Sequence, residues 1–399
     1  MKILLMNSVW EKTSTGKIVK SIFDSSENDN IYVLYGRGQK VKTPKVFKFA
    51  FEIESKFCHF LSLFTGNLYG GMFFSTNRAI KLIKKIHPDL INIHCLNGYC
   101  INIYRLLNFL KKTNIKIVLT NHADFYFTAN CGVAYNCMQW AENECAHCEK
   151  VEKFNSKLSL NLTHKYFKKM ESAFCGFQNL ISTSVSPWLM KRSQSSPILK
   201  NYQHFCILNP VNTNLDIQPQ SPYKTQNNVL FVTRDYNDYI KGFDRLVQIG
   251  YLSQHDNINF YVISQNKRNI KSIANKYKNL KIFFIEDIVS QSELFSYYYY
   301  ADLSVILSRF ETFSMVVAES LVAGTPVLGF KCGGPEEIAI PAYSKFVKTE
   351  KEFYFAMKNM IETKWDKSAI AKEAKNKYSE NNIVKEYFKL FHLPFNQQD

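Results

Sequence analysis

No run of apolar residues in this chain approaches the roughly 20 needed to cross a bilayer, and Met1 to Leu5 opens directly into a strand with no signal peptide before it. Both absences point to the cytoplasm. No G-x-G-x-x-G follows a strand-like run, which argues against a dinucleotide dehydrogenase. No compact basic motif or nucleic-acid fingerprint occurs either, which leaves nucleic acid out of the expected partners. Acidic residues are scarce in one half only. Residues 1 to 200 carry 27 Lys+Arg against 13 Asp+Glu, a balance of +14, whereas residues 201 to 399 carry 23 against 21, a balance of +2. A basic half joined to a neutral one suggests a lobe facing an anionic surface, with phospholipid headgroups first and a diphosphate-linked acceptor beside them. A generally basic protein explains the charge equally well. The ten cysteines, without a secretory signal, read as reduced thiols, most of them small apolar filler. With 399 residues, 46% of them hydrophobic, the chain has material for two ordinary cores.

The stretch from Leu303 to Ile338 organises the rest. Leu303 to Leu307 is a short apolar run that reads as a buried strand, and Ser308 to Ser314 form a turn. From Met315 to Ala323 the residues Val316, Val317, Leu321 and Val322 fall at helical spacing, and Gly324-Thr325-Pro326 stops that helix. Pro326 to Phe330 is the next strand, and Gly333-Gly334-Pro335 a second tight turn. Strand, loop, helix and strand make a parallel α/β unit, whose ligands sit outside the carboxyl ends of the strands. Two carboxylates bracket the loop and helix: Glu311, and Glu319 about one turn inside the helix. Ionised carboxylates accept charge-assisted hydrogen bonds from neighbouring hydroxyls, and the helix N-terminus between them favours an anion. A sugar, a phosphate and a ribose fit one such site. Two solvated glutamates are the plain alternative.

This stretch resembles the E-x7-E region of retaining glycosyltransferases of the family 4 type, which have the α/β GT-B fold: two facing Rossmann-like domains with a deep interdomain cleft. The resemblance implies that Glu311 contacts donor-sugar hydroxyls, that Glu319 holds the nucleotide ribose, and that Thr312, Phe313 and Ser314 lie against the donor. Gly324, Pro326 and the glycines followed by Glu337 fall in register, while Ser314 stands where the family usually has glycine.

In the first half, the strand Lys2 to Asn7 leads to Ser14-Thr15-Gly16, a strand-to-helix turn with Ser14 or Thr15 as cap. By resemblance Gly16 faces the donor phosphates. Residues 43 to 75 are dense in aromatics, and buried packing between helices is the expectation over contact with lipid or an acceptor groove. His94 and Asn97 close another strand. Thr120-Asn121-His122-Ala123-Asp124-Phe125 follows the strand Ile117 to Leu119, and a near-neutral histidine there suits contact with a sugar hydroxyl or developing charge. The segment resembles the His-Asp-x-Trp stretch of transferases similar to those building colanic acid and related bacterial surface polysaccharides. That places His122 beside the donor sugar; Ala123 and Phe125 depart from the pattern. Cys131, Cys137, Cys145 and Cys148 are spaced for a structural zinc site, with His147 a further ligand, or for a lid loop with packed thiols. The helix from Lys157 to Gly176 is basic through Lys165, Lys168 and Lys169.

Asn209-Pro210-Val211-Asn212 resembles the family's passage between domains, and the polar stretch Gln218 to Asn228 reads as a linker. After the strand Val229 to Val232, Arg234 and Lys241 suit a diphosphate, arginine by its fork and lysine as a point charge. Glu286-Asp287-Ile288 is expected under the base, the four tyrosines ending at Tyr300 between layers, and Asn382 to His392 as a helix returning to the first domain. The expected domains are residues 1–205, 206–378 and the tail 379–399.

The reading is a retaining hexosyltransferase-type enzyme, with His122, Glu311 and Lys241 as its catalytic residues. It moves a sugar from a nucleotide-diphosphate donor to a glycan or polyprenyl-diphosphate-linked acceptor, without a metal for catalysis. An anionic membrane surface at the inner face of the cell membrane is a further partner. Two alternatives stay open: an epimerase of the same fold, and a binding protein that has lost catalysis.

Overall fold

The computed structural model describes residues 1–25, 30–146, 148, 161–213, 216–285 and 290–394. The chain divides into two compact units. One comprises Met1–Ile207 together with the chain from Val384, and the other Leu208–Ile383.

In the first unit β1 (Ile3–Val9), β2 (Ile31–Arg37), β3 (Val46–Lys48), β4 (Leu90–Ile93), β5 (Lys116–Asn121), β6 (Leu180–Ser184) and β7 (Gln203–Cys206) form one sheet. Its order is β3-β2-β1-β4-β5-β6-β7, and every pairing is parallel. Parallel strands need crossovers, and α1 (Thr13–Asp24), α2 (Glu52–Thr65), α3 (Phe73–Ile86) and α4 (Ile103–Leu110) are among them. Helices covering both faces explain why β4 and β6 are buried at every position.

In the second unit β8 (Asn228–Thr233), β9 (Asn259–Ser264), β10 (Ile282–Ile285), β11 (Leu303–Ile306), β12 (Val327–Phe330) and β13 (Ser344–Val347) are also parallel throughout, in the order β10-β9-β8-β11-β12-β13. Its core gathers Val229, Phe231, Leu303, Val305, Leu328 and Phe330 from the strands with Phe353 and Met357 from the helix Glu350–Glu362. Both units are therefore Rossmann-like, and each strand order reverses once: between β1 and β4 in the first sheet, between β8 and β11 in the second. Ligands of open parallel sheets bind beside such reversals, at the carboxyl ends of the strands.

Three local expectations are corrected. The first helix begins at Thr13 with Lys12 as its unbonded cap, so Ser14 and Thr15 lie inside its first turn. Positive φ at Glu11 and Thr13 has already turned the chain into the helix. The Gly333-Gly334-Pro335 turn is the start of a short helix, Gly334–Ile338. The aromatic segment 43–75 is largely exposed: Phe49 and Tyr69 are buried, but Phe47, Phe51, Phe57, Phe60, Phe64, Phe73 and Phe74 face solvent.

Candidate functional site

At the reversal of the second sheet, the loop leaving β8 docks onto the exit of β11. Gly242 makes this possible: it has φ +78°, and a Cβ there would lie 2.1 Å from the Leu307 carbonyl oxygen. Arg309 fastens the same two loops. Its backbone N–H donates to the Ile240 carbonyl at 2.7 Å. Its guanidinium donates to Tyr239 O at 2.6 Å and forks onto both Asp244 oxygens at 2.9 and 2.5 Å. The same group lies 3.8 Å from the centre of the Tyr239 ring.

So held, Lys241 reaches Glu311: its Nζ donates to Oε1. The Ser308 hydroxyl donates to the same oxygen at 3.2 Å. Glu311 is in turn fixed by the exit of β12. Its N–H donates to Cys332 O at 3.1 Å, and its carbonyl accepts from the Gly334 N–H at 2.8 Å. A side chain at Gly334 would meet the Thr312 carbonyl oxygen at 2.1 Å, so only glycine permits this approach. Glu336 closes the turn by accepting from the N–H groups of Cys332 and Gly333 at 3.1 and 3.0 Å.

Glu319 is half-buried in the helix Met315–Val322 and accepts from the Tyr298 hydroxyl at 3.1 Å. Burial and then the charge of Glu319 push the Tyr298 hydroxyl well above its ordinary pKa, so it remains a donor. Ser314, at the start of that helix, has φ +74°. A glycine would adopt that conformation without strain, which gives a physical reason for the glycine usual in the resembling family. Phe313 is buried and Thr312 half-buried. Arg234 is exposed at the end of β8, where its charge helps hold Asp235 below the usual carboxylate range, behind hydrogen bonds from Asn266 and the Asn237 N–H.

At the reversal of the first sheet, Gly16 is buried within α1, against the backbone of Trp10 and Glu11. Asn7, at the end of β1, donates to Val9 O at 2.9 Å and accepts from the Cys95 N–H at 3.1 Å. It thereby joins the exits of β1 and β4. His122 follows β5, and its Nε2 lies 3.0 Å from Nδ1 of His94, the rings stacked at 5.3 Å. Burial lowers both pKa values, that of His122 to about 4. The expectation of a near-neutral pKa is thus corrected: desolvation keeps the imidazole neutral at physiological pH.

Asp124, fully buried, pairs with Arg192 at 3.2 Å and accepts from the Ala134 N–H at 2.8 Å. Arg192 lies 5.1 Å from the Trp140 ring centre and 4.8 Å from that of Trp188. Asp124 therefore anchors the loop carrying the cysteines. Burial first, then the other thiols, raises the Cys131 pKa, and Cys145 is pushed up to about 12 in the same way. Among the described residues no group of three or more His, Cys, Asp or Glu side chains is placed to hold a metal ion. The zinc site expected from Cys131, Cys137, Cys145 and Cys148 is not among such groups, although these thiols lie near enough to raise one another's pKa. His147, residues 157–160 of the expected basic helix and the 286–288 loop lie outside the described residues.

Residues 212–380 match the family model described as glycosyl transferases group 1. The match falls within the second unit. Solved structures extend the likeness to the whole chain. HepE from Anabaena in complex with UDP has a TM-score of 0.64 at 15% identity, covering 98% of this chain and 99% of its own. Sucrose-phosphate synthase from Thermosynechococcus elongatus has 0.65 at 13%, covering 98% of each. A lipopolysaccharide outer core galactosyltransferase, WaaB, has 0.62 at 14%, covering 98% and 99%. The fold is GT-B. No curated protein matches the chain.

Of the candidate residues, the second unit brings Lys241 and Glu311 into contact, and Glu311 lies just before the helix that carries Glu319. Sequence reasoning missed Arg309, Asp244 and Tyr298. Arg309 stands two residues before Glu311, but its partner Asp244 is 65 residues away, and nothing local pairs them. Tyr298 was legible only as packing.

Proposed function

We propose that this protein is a retaining glycosyltransferase that takes a hexosyl unit from a nucleotide-diphosphate sugar. The observation carrying this reading is the Lys241–Glu311 pair at the sheet reversal, beside the helix bearing Glu319. A cation there stabilises charge developing on the leaving diphosphate, and the N-terminus of the helix Met315–Val322 adds to it. Glu311 accepts from donor-sugar hydroxyls and Glu319 from the ribose, with the backbone of Thr312, Phe313 and Ser314 against the donor. Arg234 adds a second cation once its exposed side chain turns toward the diphosphate. His122, a neutral hydrogen-bonding group, and Gly16 are the first unit's own candidates for donor contact.

In the reaction the bond from the anomeric carbon to the diphosphate oxygen breaks. The acceptor oxygen bonds to that carbon on the same face, and its proton passes to the departing phosphate. The acceptor is a glycan or a polyprenyl-diphosphate-linked glycan of a bacterial surface polysaccharide, a reading that the likeness to a lipopolysaccharide core galactosyltransferase supports. UDP-sugars are the first donors to try, since a structure of this fold holds UDP.

The test is a thermal-shift screen of nucleotide sugars, followed by anomeric analysis of products formed with and without acceptor. Donor-dependent transfer with retained configuration, lost in Glu311→Ala, is expected. Conversion of the donor without acceptor identifies an epimerase. Donor binding without turnover in either protein identifies a binding protein.

A further inference from the structure

A soluble amphipathic helix normally turns its apolar side to the core; α2 is built the other way round. Its buried residues are Ser55 and Ser62, two turns apart. Their hydroxyls are satisfied inside the unit: Ser55 donates to Phe51 O at 3.1 Å, and Ser62 to His59 O at 2.7 Å, with Tyr99 Oη 2.8 Å away. The side facing solvent carries Ile53, Phe57, Phe60, Leu61 and Phe64 at exposures of 42 to 85%. Their spacing of four, three, one and three residues puts all five on one helical stripe. The stripe continues onto the first turn of α3, where Phe73 and Phe74 are also exposed. Glu54 ties the two helices by accepting from the N–H groups of Phe74 and Ser75, both at 2.8 Å.

The charge around this stripe has one sign. Residues 40 to 85 contain nine Lys+Arg and two Asp+Glu, which gives +7. Both acids are engaged within the unit. Glu54 caps α3, and Glu52 accepts from Arg37 Nε at 2.8 Å and Lys48 Nζ at 2.9 Å. The cations flank the rings. Lys56 lies on the shoulder of the stripe, Arg78 sits 5.2 Å from the Phe51 ring centre, and Arg105 4.6 Å from that of Phe73.

We infer that α2 and the first turn of α3 form a docking surface for an anionic lipid bilayer, with α2 lying in the membrane plane. Its aromatic and aliphatic side chains enter the interface between headgroups and acyl chains, while Lys56, Arg78, Lys81 and Arg105 meet lipid phosphates. Charge complementarity selects this occupant. A second copy would bring the same +7 segment against itself, and no nucleic-acid fingerprint accompanies the exposed rings. None of these residues is a donor-binding candidate, so the test does not depend on the transferase reading.

The experiment is co-sedimentation of the full chain with vesicles of phosphatidylcholine alone and of phosphatidylcholine mixed with phosphatidylglycerol, at low and high salt. Binding to the mixed vesicles, weakened by salt, is expected. Each Phe→Ser change on the stripe should weaken it about tenfold, the worth of one aromatic side chain leaving an apolar environment. The triple variant Phe57→Ser/Phe60→Ser/Phe64→Ser should abolish it while keeping the wild-type circular dichroism, because these side chains make no core. As a second measurement, Phe60→Trp should add to the emission of the four native tryptophans a component, obtained by difference from the wild type, that shifts to the blue on mixed vesicles. Equal sedimentation of wild type and triple variant overturns the inference. So does a wild-type dimer that the triple variant converts to monomer, or retention by single-stranded DNA rather than by vesicles.

Discussion

Replacing Tyr298 by phenylalanine removes one oxygen atom from a fully buried ring and leaves Glu319 without the hydroxyl 3.1 Å away. A hydrogen bond to a charged group contributes about 1.5–3 kcal/mol. Glu319 is half-buried and water takes part of the lost place, so the lower end applies: about 1.4 kcal/mol, or tenfold in affinity. On the proposed reading Glu319 grips the ribose, away from the bond that breaks. The loss therefore falls equally on ground and transition states, which raises KM for the donor about tenfold and leaves kcat unchanged. The Tyr298 hydroxyl stays protonated at any working pH, so the ratio of variant to wild-type KM should not vary with pH. Steady-state kinetics with the donor varied, and direct titration with the free nucleoside diphosphate, measure both quantities. A fall in kcat at constant KM would refute the reasoning, because it would place Tyr298 and Glu319 at the reacting centre.

Three further outcomes are expected. Ser314→Gly relieves the positive φ at that residue and, after the entropy glycine adds to the unfolded chain, raises stability by about 1 kcal/mol in urea unfolding. Arg192→Ala strands the buried Asp124 carboxylate and costs about 3–5 kcal/mol; adding Asp124→Ala recovers part of that loss if the pair acts as a unit. His94 and His122 titrate below the ordinary 6.5, His122 at about 4, because burial opposes their charge. Between those limits the unfolded chain binds more protons than the folded one, so stability is complete above pH 6.5 and falls as pH drops toward 4. In Glu52 burial raises the pKa, but Lys48, the Gly38 N–H and Arg37 outweigh it and bring it to about 2, so its contribution is lost in a lower window, from 4.5 toward 2. Urea midpoints measured against pH should decline through both windows, and a flat profile between 6.5 and 4 would contradict the histidine assignment.

The parts that sequence revealed are those where neighbours in the chain are neighbours in space. The Leu303–Ile338 stretch encodes its own strand, helix and next strand through apolar spacing and punctuation by Gly324 and Pro326. The observed elements, Leu303–Ile306, Met315–Val322 and Val327–Phe330, depart by a residue or so at their ends. What escaped depends on partners far along the chain. The pKa of His122 is set by its burial, and the ring it meets, His94, stands 28 residues earlier. The cysteine spacing says nothing of whether a loop folds four thiols to one point. For α2, an aromatic-rich and irregular reading of residues 43 to 75 misses the helix Glu52–Thr65 and its direction, because Ser55 and Ser62 face inward only through partners such as Tyr99, 37 residues beyond Ser62.

The Lys241–Glu311 pair is itself poorly explained by stability. Its side chains are 28% and 21% exposed, and pairs open to solvent are worth about 0–1 kcal/mol. Yet the fold commits much to placing it. Two glycines sit where any side chain would strike a carbonyl oxygen at 2.1 Å. Arg309 is spent on locking the two loops together, and Ser314 holds a conformation that serine disfavours. Natural sequences break local rules at functional sites and compensate elsewhere. Four such departures fall within the three loops leaving β8, β11 and β12. That concentration is what a ligand gripped by Lys241 and Glu311 accounts for, and what a surface ion pair retained for stability does not.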